Sequence, residues 1–407
     1  MPGPLAGVRV IDLTTVVMGP FATQILAELG ADVVKVESRE GDNMRHVGPS
    51  RHPGMGHIFL HAGRGKRSLV LDLKDPRGRD ALLALARRAD VLVYNVRPQA
   101  MARLGLDYPA LRAANPRILY VGCYGYSQRG PYAARPAYDD LIQAAAGVPS
   151  LLSRQGSDVP RYAPVLLADR LTGLHVVYAV TAALFHRERT GEGQAVEVPM
   201  FEAAVHFVLG DHLGGATFDP PLGDTGYARL LAEHRRPYAT RDGHVCVLIY
   251  NDKQWQSFFA AIGEPERISE PRFATHANRA ERIGEVYAFV ADVMKTRTTA
   301  EWLALFERAD IPAVRMNDVQ NILADPHLAA EAFFAFEEHP TEGRVRRMGT
   351  PTHWSGTPTV PTAPAPRLGE HSRDVLREAG YGDEEIDALV AAGVTVDGRQ
   401  DRTPPAS

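Results

Sequence analysis

The sequence predicts an α/β protein whose large domain is built on a parallel sheet and whose smaller domain is α+β. In the first half of the chain, short apolar strand patterns alternate with helical patterns, and such alternation is typical of a parallel sheet covered by helices. The second half contains a short hairpin pattern and an isolated amphipathic helix. This change of pattern indicates a separate and smaller domain.

Six strands and three long helices are predicted in order through the first 200 residues. The strand patterns occupy residues 7–13, 31–37, 68–73, 90–94, 117–124 and 194–198. The helical patterns occupy residues 21–29, 76–88 and 169–189. Pro20 suits the first turn of the first helix, and Gly191 is a typical stop signal after the third.

The second half predicts a hairpin and a capped helix. Residues 237–240 and 244–250 are the two strand patterns, and Asp242 and Gly243 form the tight turn between them. Thr298 and Glu301 have the spacing of a capping box, which predicts the start of a helix over residues 302–308. Residues 355–366 are rich in Pro and Thr and predict an extended connector.

Composition excludes several classes of function. The 407 residues carry 45 basic and 49 acidic side chains, so the chain lacks the strongly basic character of a nucleic-acid-binding protein. Cys123 and Cys246 are too far apart for a disulfide framework or a metal cluster. The longest apolar stretch, residues 174–185, is too short to cross a membrane. We therefore expect a cytoplasmic protein with no metal site and no nucleic-acid or membrane partner.

Two nucleotide motifs fail on spacing. The predicted sheet is Rossmann-like, but a dinucleotide site needs several glycines between the first strand and the first helix. Residues 14–20 contain a single glycine, Gly19. Residues 63–68 superficially suggest a phosphate-binding loop, yet the required earlier glycine position holds Leu60. Neither segment supports a nucleotide site.

Several segments, in order along nearly the whole chain, resemble the family III CoA transferases, also known as the CaiB/BaiF family. This group includes formyl-CoA transferase and carnitine CoA-transferase. The matching segments are residues 7–13 (GVRVIDL), 29–37 (LGADVVKVE), 66–74 (KRSLVLDLK), 95–98 (NVRP), 115–117 (NPR), 190–194 (TGEGQ), 325–328 (DPHL) and 368–371 (LGEH). Each motif is weak alone, whereas the ordered set is specific.

The resemblance implies that Asp169 is the catalytic nucleophile. By position alone, Asp169 would more often be a simple helix cap, but the surrounding residues 165–173 match the family motif. A helix N-terminus favours a negative charge, so we expect an ionised carboxylate that can attack a thioester. The implied intermediates are an aspartyl anhydride and an aspartyl-CoA thioester. Coenzyme A is then a substrate, and no tightly bound cofactor is required.

The resemblance also implies a set of coenzyme-binding residues. Its cations would contact the phosphates, and most of its other members would offer backbone or apolar contacts to the rest of the molecule. Two of its arginines, Arg97 and Arg135, are equally compatible with a solvated surface. The set is Val17, Arg39, Leu71, Lys74, Asn95, Val96, Arg97, Arg103, Arg135, Tyr138 and Asp139. At Val17, formyl-CoA transferase has a glutamine, which argues against formate and oxalate as the substrates. Residues 214–215 and 223–226 are the candidate segments for the oxyanion-binding loop.

Two other functions compete with acid-to-acid CoA transfer. A 2-methylacyl-CoA racemase shares the fold and coenzyme site by resemblance, but it needs an acid and a base on opposite sides of the α-carbon. The racemase branch has a histidine where this chain has Tyr138, whose ordinary pKa is too high for ready proton exchange. A nonenzymatic acyl-CoA-binding protein would have no need of Asp169.

The resemblance implies an interlocked homodimer of two-domain chains that acts on acyl-CoA and carboxylic acid substrates. The expected divisions are a large domain over residues 1–200 and 330–395, a linker helix over 201–224, a small domain over 225–312, a return linker over 313–329 and a flexible tail over 396–407. Arg235 and Arg236 are either a solvated pair or a site for the second carboxylate of a dicarboxylic acid.

Overall fold

A computed structural model describes residues 3–156, 159–358 and 362–399 of the chain. Its central feature is a six-stranded sheet in which every neighbouring pair of strands is parallel. The strands are β1 (Arg9–Leu13), β2 (Asp32–Glu37), β3 (Lys66–Val70), β4 (Val91–Tyr94), β5 (Leu119–Tyr124) and β6 (Ala195–Pro199). Their spatial order is β3-β2-β1-β4-β5-β6, which is the Rossmann order and confirms the predicted fold class.

The remaining strands form two smaller antiparallel sheets. These strands are β7 (Tyr238–Ala239), β8 (His244–Val247), β9 (Ala313–Arg315), β10 (Phe334–His339) and β11 (Gly343–Met348). The first three make one sheet in chain order, and the last two make a hairpin. Thr240 donates its backbone N–H to the carbonyl of Gly243, which closes the predicted turn between β7 and β8.

Helices cover the sheets. They are α1 (Met18–Glu28), α2 (His57–Ala62), α3 (Pro76–Ala86), α4 (Pro98–Arg103), α5 (Tyr108–Ala114), α6 (Asp139–Ala145), α7 (Val148–Ser153), α8 (Leu167–Thr190), α9 (Met200–His212), α10 (Ala228–Leu231), α11 (Asp252–Ile262), α12 (His276–Glu281), α13 (Ile283–Met294), α14 (Thr299–Arg308), α15 (Pro326–Ala330), α16 (Ser372–Glu378) and α17 (Asp383–Ala391). The predicted capping box of α14 is present: the side chain of Thr298 accepts from the backbone of Glu301, and the side chain of Glu301 accepts in return.

The chain divides into two compact units. The first holds residues 1–146, 164–205 and 329–407, and the second holds residues 147–163 and 206–328. The second unit thus contains most of the segments expected as linkers on either side of the small domain. It also contains residues 147–163, a segment that the sequence assigned to the large domain.

The core of the first unit joins the sheet to helices from both ends of the chain. Buried side chains of β1, β2 and β4 pack with those of α3, α16 and α17 in one apolar cluster. Leu82, Leu376 and Ile386 are fully buried members of this cluster. Because strands covered on both faces must be apolar along their length, these segments read as continuous hydrophobic runs.

The core of the second unit is aromatic. Trp255, Phe258 and Phe259 of α11 pack against Phe273 and the rest of an apolar cluster drawn from α13 and α14. Trp302 donates its indole N–H to the carbonyl of Met294 at 2.7 Å, so this large polar ring is buried with its donor satisfied.

Neither a membrane-crossing helix nor a metal-binding cluster is present among the described residues. None of their helices combines the length and the apolar character that a membrane crossing requires. Their His, Cys, Asp and Glu side chains contain no group of three or more arranged to hold a metal ion.

Candidate active site

A cavity of about 250 Å³ opens at the carboxyl edge of the parallel sheet. Its walls come from the loops that follow β1, β4 and β5 and from the start of α8. The sheet order reverses between β1 and β4, and ligands of open α/β sheets bind at such a switch point. The lining residues are Thr15, Val16, Met18, Asn95, Val96, Arg97, Pro98, Tyr124, Gly125, Tyr126, Gln128, Ala133, Arg135, Pro136, Ala137, Tyr138, Asp169 and Met200.

Two loops at the switch point are joined by a reciprocal pair of hydrogen bonds. The side chain of Asn95, after β4, accepts from the backbone N–H of Thr15 at 3.0 Å and donates to the Thr15 carbonyl at 2.8 Å. Because the amide uses its oxygen and one N–H in these bonds, Asn95 fixes the loop after β1. This structural role is separate from the coenzyme contact that the sequence predicts for Asn95.

Asp169 lies inside the first turn of α8, as the third residue of the helix, rather than at the cap position. The cap residue is Leu166, and it makes no side-chain capping bond. The side chain of Asp169 is 8% exposed and lines the cavity. Its carboxylate has no hydrogen-bond donor among the described residues, which distinguishes it from a capping carboxylate.

A second buried carboxylate, that of Asp139, is hydrogen-bonded to the backbone of Asp169. The backbone N–H of Asp169 donates to Oδ1 of Asp139 at 3.0 Å. The other oxygen of Asp139 accepts from Nε2 of Gln143 at 2.6 Å. Asp139 is the first residue of α6, so the starts of α6 and α8 are tied together through its side chain.

Burial and, to a smaller extent, the nearby Asp139 carboxylate raise the pKa of Asp169 to about 7, against a smaller lowering by Arg170. This corrects the expectation of a carboxylate that the helix start keeps fully ionised. Loss of hydration and a like charge outweigh the favourable field of the helix N-terminus. Asp169 therefore titrates in the neutral range, and such strong perturbation is common at functional sites.

A buried ionic cluster supports the first turn of α1. The ammonium group of Lys66, from β3, contacts Oδ2 of Asp12 at 2.9 Å, the Pro20 carbonyl at 2.8 Å and Oγ1 of Thr23 at 2.7 Å. Both ends of the ion pair are fully buried. Burial lowers the pKa of Lys66 to about 8, although Asp12 opposes that change.

The same cluster continues beneath the loop after β1. Lys35 of β2 donates to the Thr14 carbonyl at 2.7 Å and pairs with Oδ2 of Asp42 at 2.9 Å. The other oxygen of Asp42 accepts from the backbone N–H of Val16 at 3.1 Å. Val16 has a φ of 71°, a left-handed conformation that strains a β-branched residue. The cluster therefore holds a cavity-lining residue in an unusual conformation.

The predicted coenzyme-binding residues separate into two groups. Asn95, Val96, Arg97, Arg135 and Tyr138 line the cavity together with Asp169. Outside it, Val17 and Leu71 are buried at 1% and 2% exposure, Asp139 lies behind Asp169, and Arg39, Lys74 and Arg103 are exposed. Arg39 and Lys74 follow β2 and β3, and Arg103 ends α4, so Arg39 and Lys74 share the carboxyl edge with the cavity.

Asp12, Lys35 and Lys66 are functional neighbours that sequence reasoning missed. All three lie in strands and are at most 2% exposed. Charged residues are almost never buried unless they are paired. Three charges of both signs inside otherwise apolar strands were the available signal of a buried ionic cluster.

The arrangement brings one buried, half-titrated carboxylate to a cavity whose rim carries the cations Arg97 and Arg135. Arg135 stacks on the ring of Tyr132, 3.8 Å from its centroid. A carboxylate of this kind acts as a nucleophile or as a general base, and the rim attracts an anionic ligand.

Comparison with known proteins identifies the family. Residues 5–372 match the profile of CoA-transferase family III, so the chain belongs to this family and is a CoA-transferase. Its relatives transfer coenzyme A between different acids. The predicted family membership and enzyme class are therefore confirmed.

Individual relatives match this chain over nearly their full lengths. The chain is 33% identical to a succinate–glutarate CoA-transferase of Agrobacterium fabrum, covering 92% of this chain and 95% of the relative. It is 33% identical to a formyl-CoA:oxalate CoA-transferase of Streptomyces coelicolor, covering 96% and 98%. The crystal structure of a CAIB/BAIF family protein from Brucella suis has 30% identity and a TM-score of 0.79, covering 93% and 100%.

Proposed function

We propose that this CoA-transferase works through covalent intermediates on Asp169. The observation that carries the proposal is the placement of its carboxylate in the cavity at the sheet's switch point, 8% exposed and without a hydrogen-bond donor among the described residues. A purely structural buried carboxylate would be paired or hydrogen-bonded. An unpaired one facing a cavity is available for reaction.

The proposed cycle exchanges partners through four balanced steps. An oxygen of ionised Asp169 attacks the carbonyl carbon of the acyl-CoA, the C–S bond breaks, and CoA thiolate leaves an acyl-aspartyl anhydride. The thiolate attacks the aspartyl carbonyl and expels the donor acid, which forms an aspartyl-CoA thioester. The acceptor carboxylate then displaces the thiolate to form a new anhydride. Attack of the thiolate on the acceptor's carbonyl yields the new acyl-CoA and regenerates Asp169.

Partial desolvation of Asp169 suits this chemistry. A carboxylate that has lost its hydration and hydrogen bonds is more basic, as its raised pKa shows, and greater basicity favours nucleophilic attack. The same burial keeps water from an anhydride that would otherwise hydrolyse. These two effects support a nucleophilic role over simple charge stabilisation.

The coenzyme is proposed to lie along the carboxyl edge of the sheet. Arg97 and Arg135 at the cavity rim, with Lys74 and Arg39 after β3 and β2, supply cations for its phosphates. The cavity itself, at about 250 Å³, suits the thioester end of the pantetheine arm. We propose Arg103, at the end of α4, as a further phosphate contact.

We propose a short carboxylic acid as each acyl partner. The named acids of the two enzymes compared above, succinate, glutarate, formate and oxalate, are all small. A cavity of this size beside Asp169 agrees with a small acyl group.

We also propose that the enzyme is a homodimer. The long helix α8 exposes Leu174, Tyr178 and Phe185 at 53%, 60% and 65%. Apolar side chains in such a row are costly to leave in water and mark an association surface. A second copy of the chain is the proposed partner.

The decisive experiment follows the enzyme by intact-protein mass spectrometry after incubation with a panel of short acyl-CoA thioesters. In the wild type a CoA-sized adduct is expected on the intact protein, and hydroxylamine should displace CoA from it to leave an aspartyl hydroxamate that peptide mapping assigns to Asp169. Asp169→Ala and Asp169→Asn are expected to form none, while Asp140→Asn, which alters an exposed carboxylate of α6, is the matched control. Absence of any adduct, together with α-proton exchange in deuterated water, would favour a racemase instead.

A further inference from the structure

The second compact unit contains its own cavity, of about 350 Å³. Small-molecule sites in proteins occupy about 300–1,000 Å³, so this cavity is large enough for a small organic ligand. Its lining residues are Arg229, Arg235, Arg236, Pro237, Tyr238, Cys246, Val247, Leu248, Ile249, Trp255, Tyr287 and Val290. All of them belong to residues 206–328, and none of them lines the cavity that contains Asp169.

The positive charges of this cavity are uncompensated. Throughout the described part of the chain, no Asp or Glu oxygen lies within 4.0 Å of the guanidinium groups of Arg229, Arg235 or Arg236. In contrast, Arg279 in the adjoining smaller cavity pairs with Asp252. Three arginines gathered at one cavity without a counter-charge favour a bound anion.

Two phenol groups point to the same ligand chemistry. Nε of Arg229 donates to the hydroxyl oxygen of Tyr287 at 3.0 Å, which leaves the Tyr287 proton free to donate. Tyr238 is 6% exposed and lines the cavity, yet its hydroxyl has no hydrogen-bond partner among the described residues. Burial raises the pKa of Tyr238, so this hydroxyl is a neutral donor at physiological pH. The Tyr238 oxygen is accessible rather than fully buried, so its hydroxyl can donate to a ligand in the cavity.

The rest of the lining is apolar. Ile249, Trp255 and Val290 are at most 8% exposed and present hydrocarbon to the cavity. A ligand that fits must therefore combine negative charge with a short apolar chain. With three uncompensated cations present, a dianion is bound more favourably than a monoanion of the same length.

We propose that this cavity binds a short aliphatic dicarboxylic acid, with guanidinium groups and tyrosine hydroxyls holding carboxylate oxygens and the apolar wall covering the methylene chain. Regarding that acid as an acyl partner of the enzyme rests on the function proposed above. Binding of the acid to the cavity does not depend on it.

Titration calorimetry without coenzyme A tests the proposal on the full-length Asp169→Asn protein at low ionic strength, where charge screening is weak. Glutarate and valerate are the probes, because they have the same carbon number and differ by one carboxylate. We expect glutarate to bind at least about tenfold more tightly, which corresponds to about 1.4 kcal/mol.

Matched variants assign the binding to the cavity. Arg235→Ala/Arg236→Ala changes two exposed residues and is expected to weaken glutarate binding at least about tenfold. Arg282→Ala/Arg308→Ala removes two exposed charges of the same unit that do not line the cavity, and should leave binding unchanged. Equal affinity for the two acids, or equal losses in both double variants, would overturn the proposal. Because no CoA is present, a negative adduct experiment on Asp169 would not affect this result.

Discussion

The backbone amide of Asp169 donates to the carboxylate of Asp139, with 3.0 Å between nitrogen and oxygen. This single bond places two carboxylates, both less than a tenth exposed, at the starts of two helices. Asp139 also accepts from Gln143, whereas the Asp169 carboxylate accepts from no described residue. The pair therefore consists of one carboxylate in a supporting role and one that is free to react.

Adduct formation should depend on pH. In the proposed mechanism only ionised Asp169 attacks a thioester, and its pKa is about 7. The rate of CoA-adduct formation under limiting substrate should therefore rise roughly tenfold per pH unit below pH 7 and level off above it. Stopped-time mass spectrometry between pH 5.5 and 8.5 measures this profile. A rate independent of pH across that range would contradict the assignment.

The midpoint of this profile, the pH at which the rate of adduct formation is half its maximum, provides an internal control. Asp139→Asn keeps an oxygen that can accept from the Asp169 amide but removes the like charge that raises the Asp169 pKa. The midpoint should therefore move to lower pH while adducts still form. A midpoint that moves upward would show that Asp139 acts on Asp169 in another way.

Asp169→Asn should stabilise the protein above neutral pH. The folded-state pKa of Asp169, about 7, lies above the unfolded value of 3.8, so the favourable contribution of the protonated carboxyl is complete below pH 3.8, declines as pH rises, and is lost above pH 7. The neutral amide avoids this loss and should raise the free energy of unfolding by about 1–3 kcal/mol at pH 8. Urea unfolding at pH 8 and pH 5 should show a smaller gain at pH 5; a gain that grows toward acid would refute the argument.

Lys66→Met should strongly destabilise the first unit. The substitution leaves the carboxylate of Asp12 buried with its principal counter-ion removed, at a cost of about 3–5 kcal/mol. In Asp12→Leu/Lys66→Met both charges are absent, so the double variant should lose less than the sum of the two single losses. Urea unfolding of the four proteins measures this coupling, and strict additivity would contradict it.

The exposed row on α8 predicts self-association. Light scattering coupled to size exclusion should give twice the mass of the 44.5 kDa chain at micromolar concentration. Leu174→Glu/Tyr178→Glu places charges in the row and should shift the mass toward the monomer. Arg112→Glu, at an exposed position of α5, serves as a control. A wild-type monomer would refute the homodimer.

Local patterns were sufficient to predict the sheet. The six strand patterns of the first half each coincide with an observed strand within a few residues, because buried parallel strands are continuous apolar runs. The hairpin turn at Gly243 and the capping box at Thr298 were also predictable, since both depend on residues that are close in sequence.

The electrostatics of the site depend on contacts that sequence spacing does not reveal. Asp139 and Asp169 are 30 residues apart, and Lys66 reaches Asp12 across 54 residues. The helix start suggested an ionised Asp169, but the desolvation that decides its pKa arises only when the surrounding loops close around it. The lining by Arg97 and Arg135 was anticipated through the family resemblance, whereas the buried position of Val17 became apparent only in the fold.

The conformation of Val16 and the shape of the cavity depend on different side chains. Its φ of 71° is held from below by Asp42 and Lys35, neither of which lines the cavity. Other lining side chains, such as those of Tyr138 and Met200, take no part in these contacts of Val16 and Asp42. A library aimed at new acyl groups can therefore randomise these two positions while the ionic cluster that supports the loop after β1 is left intact.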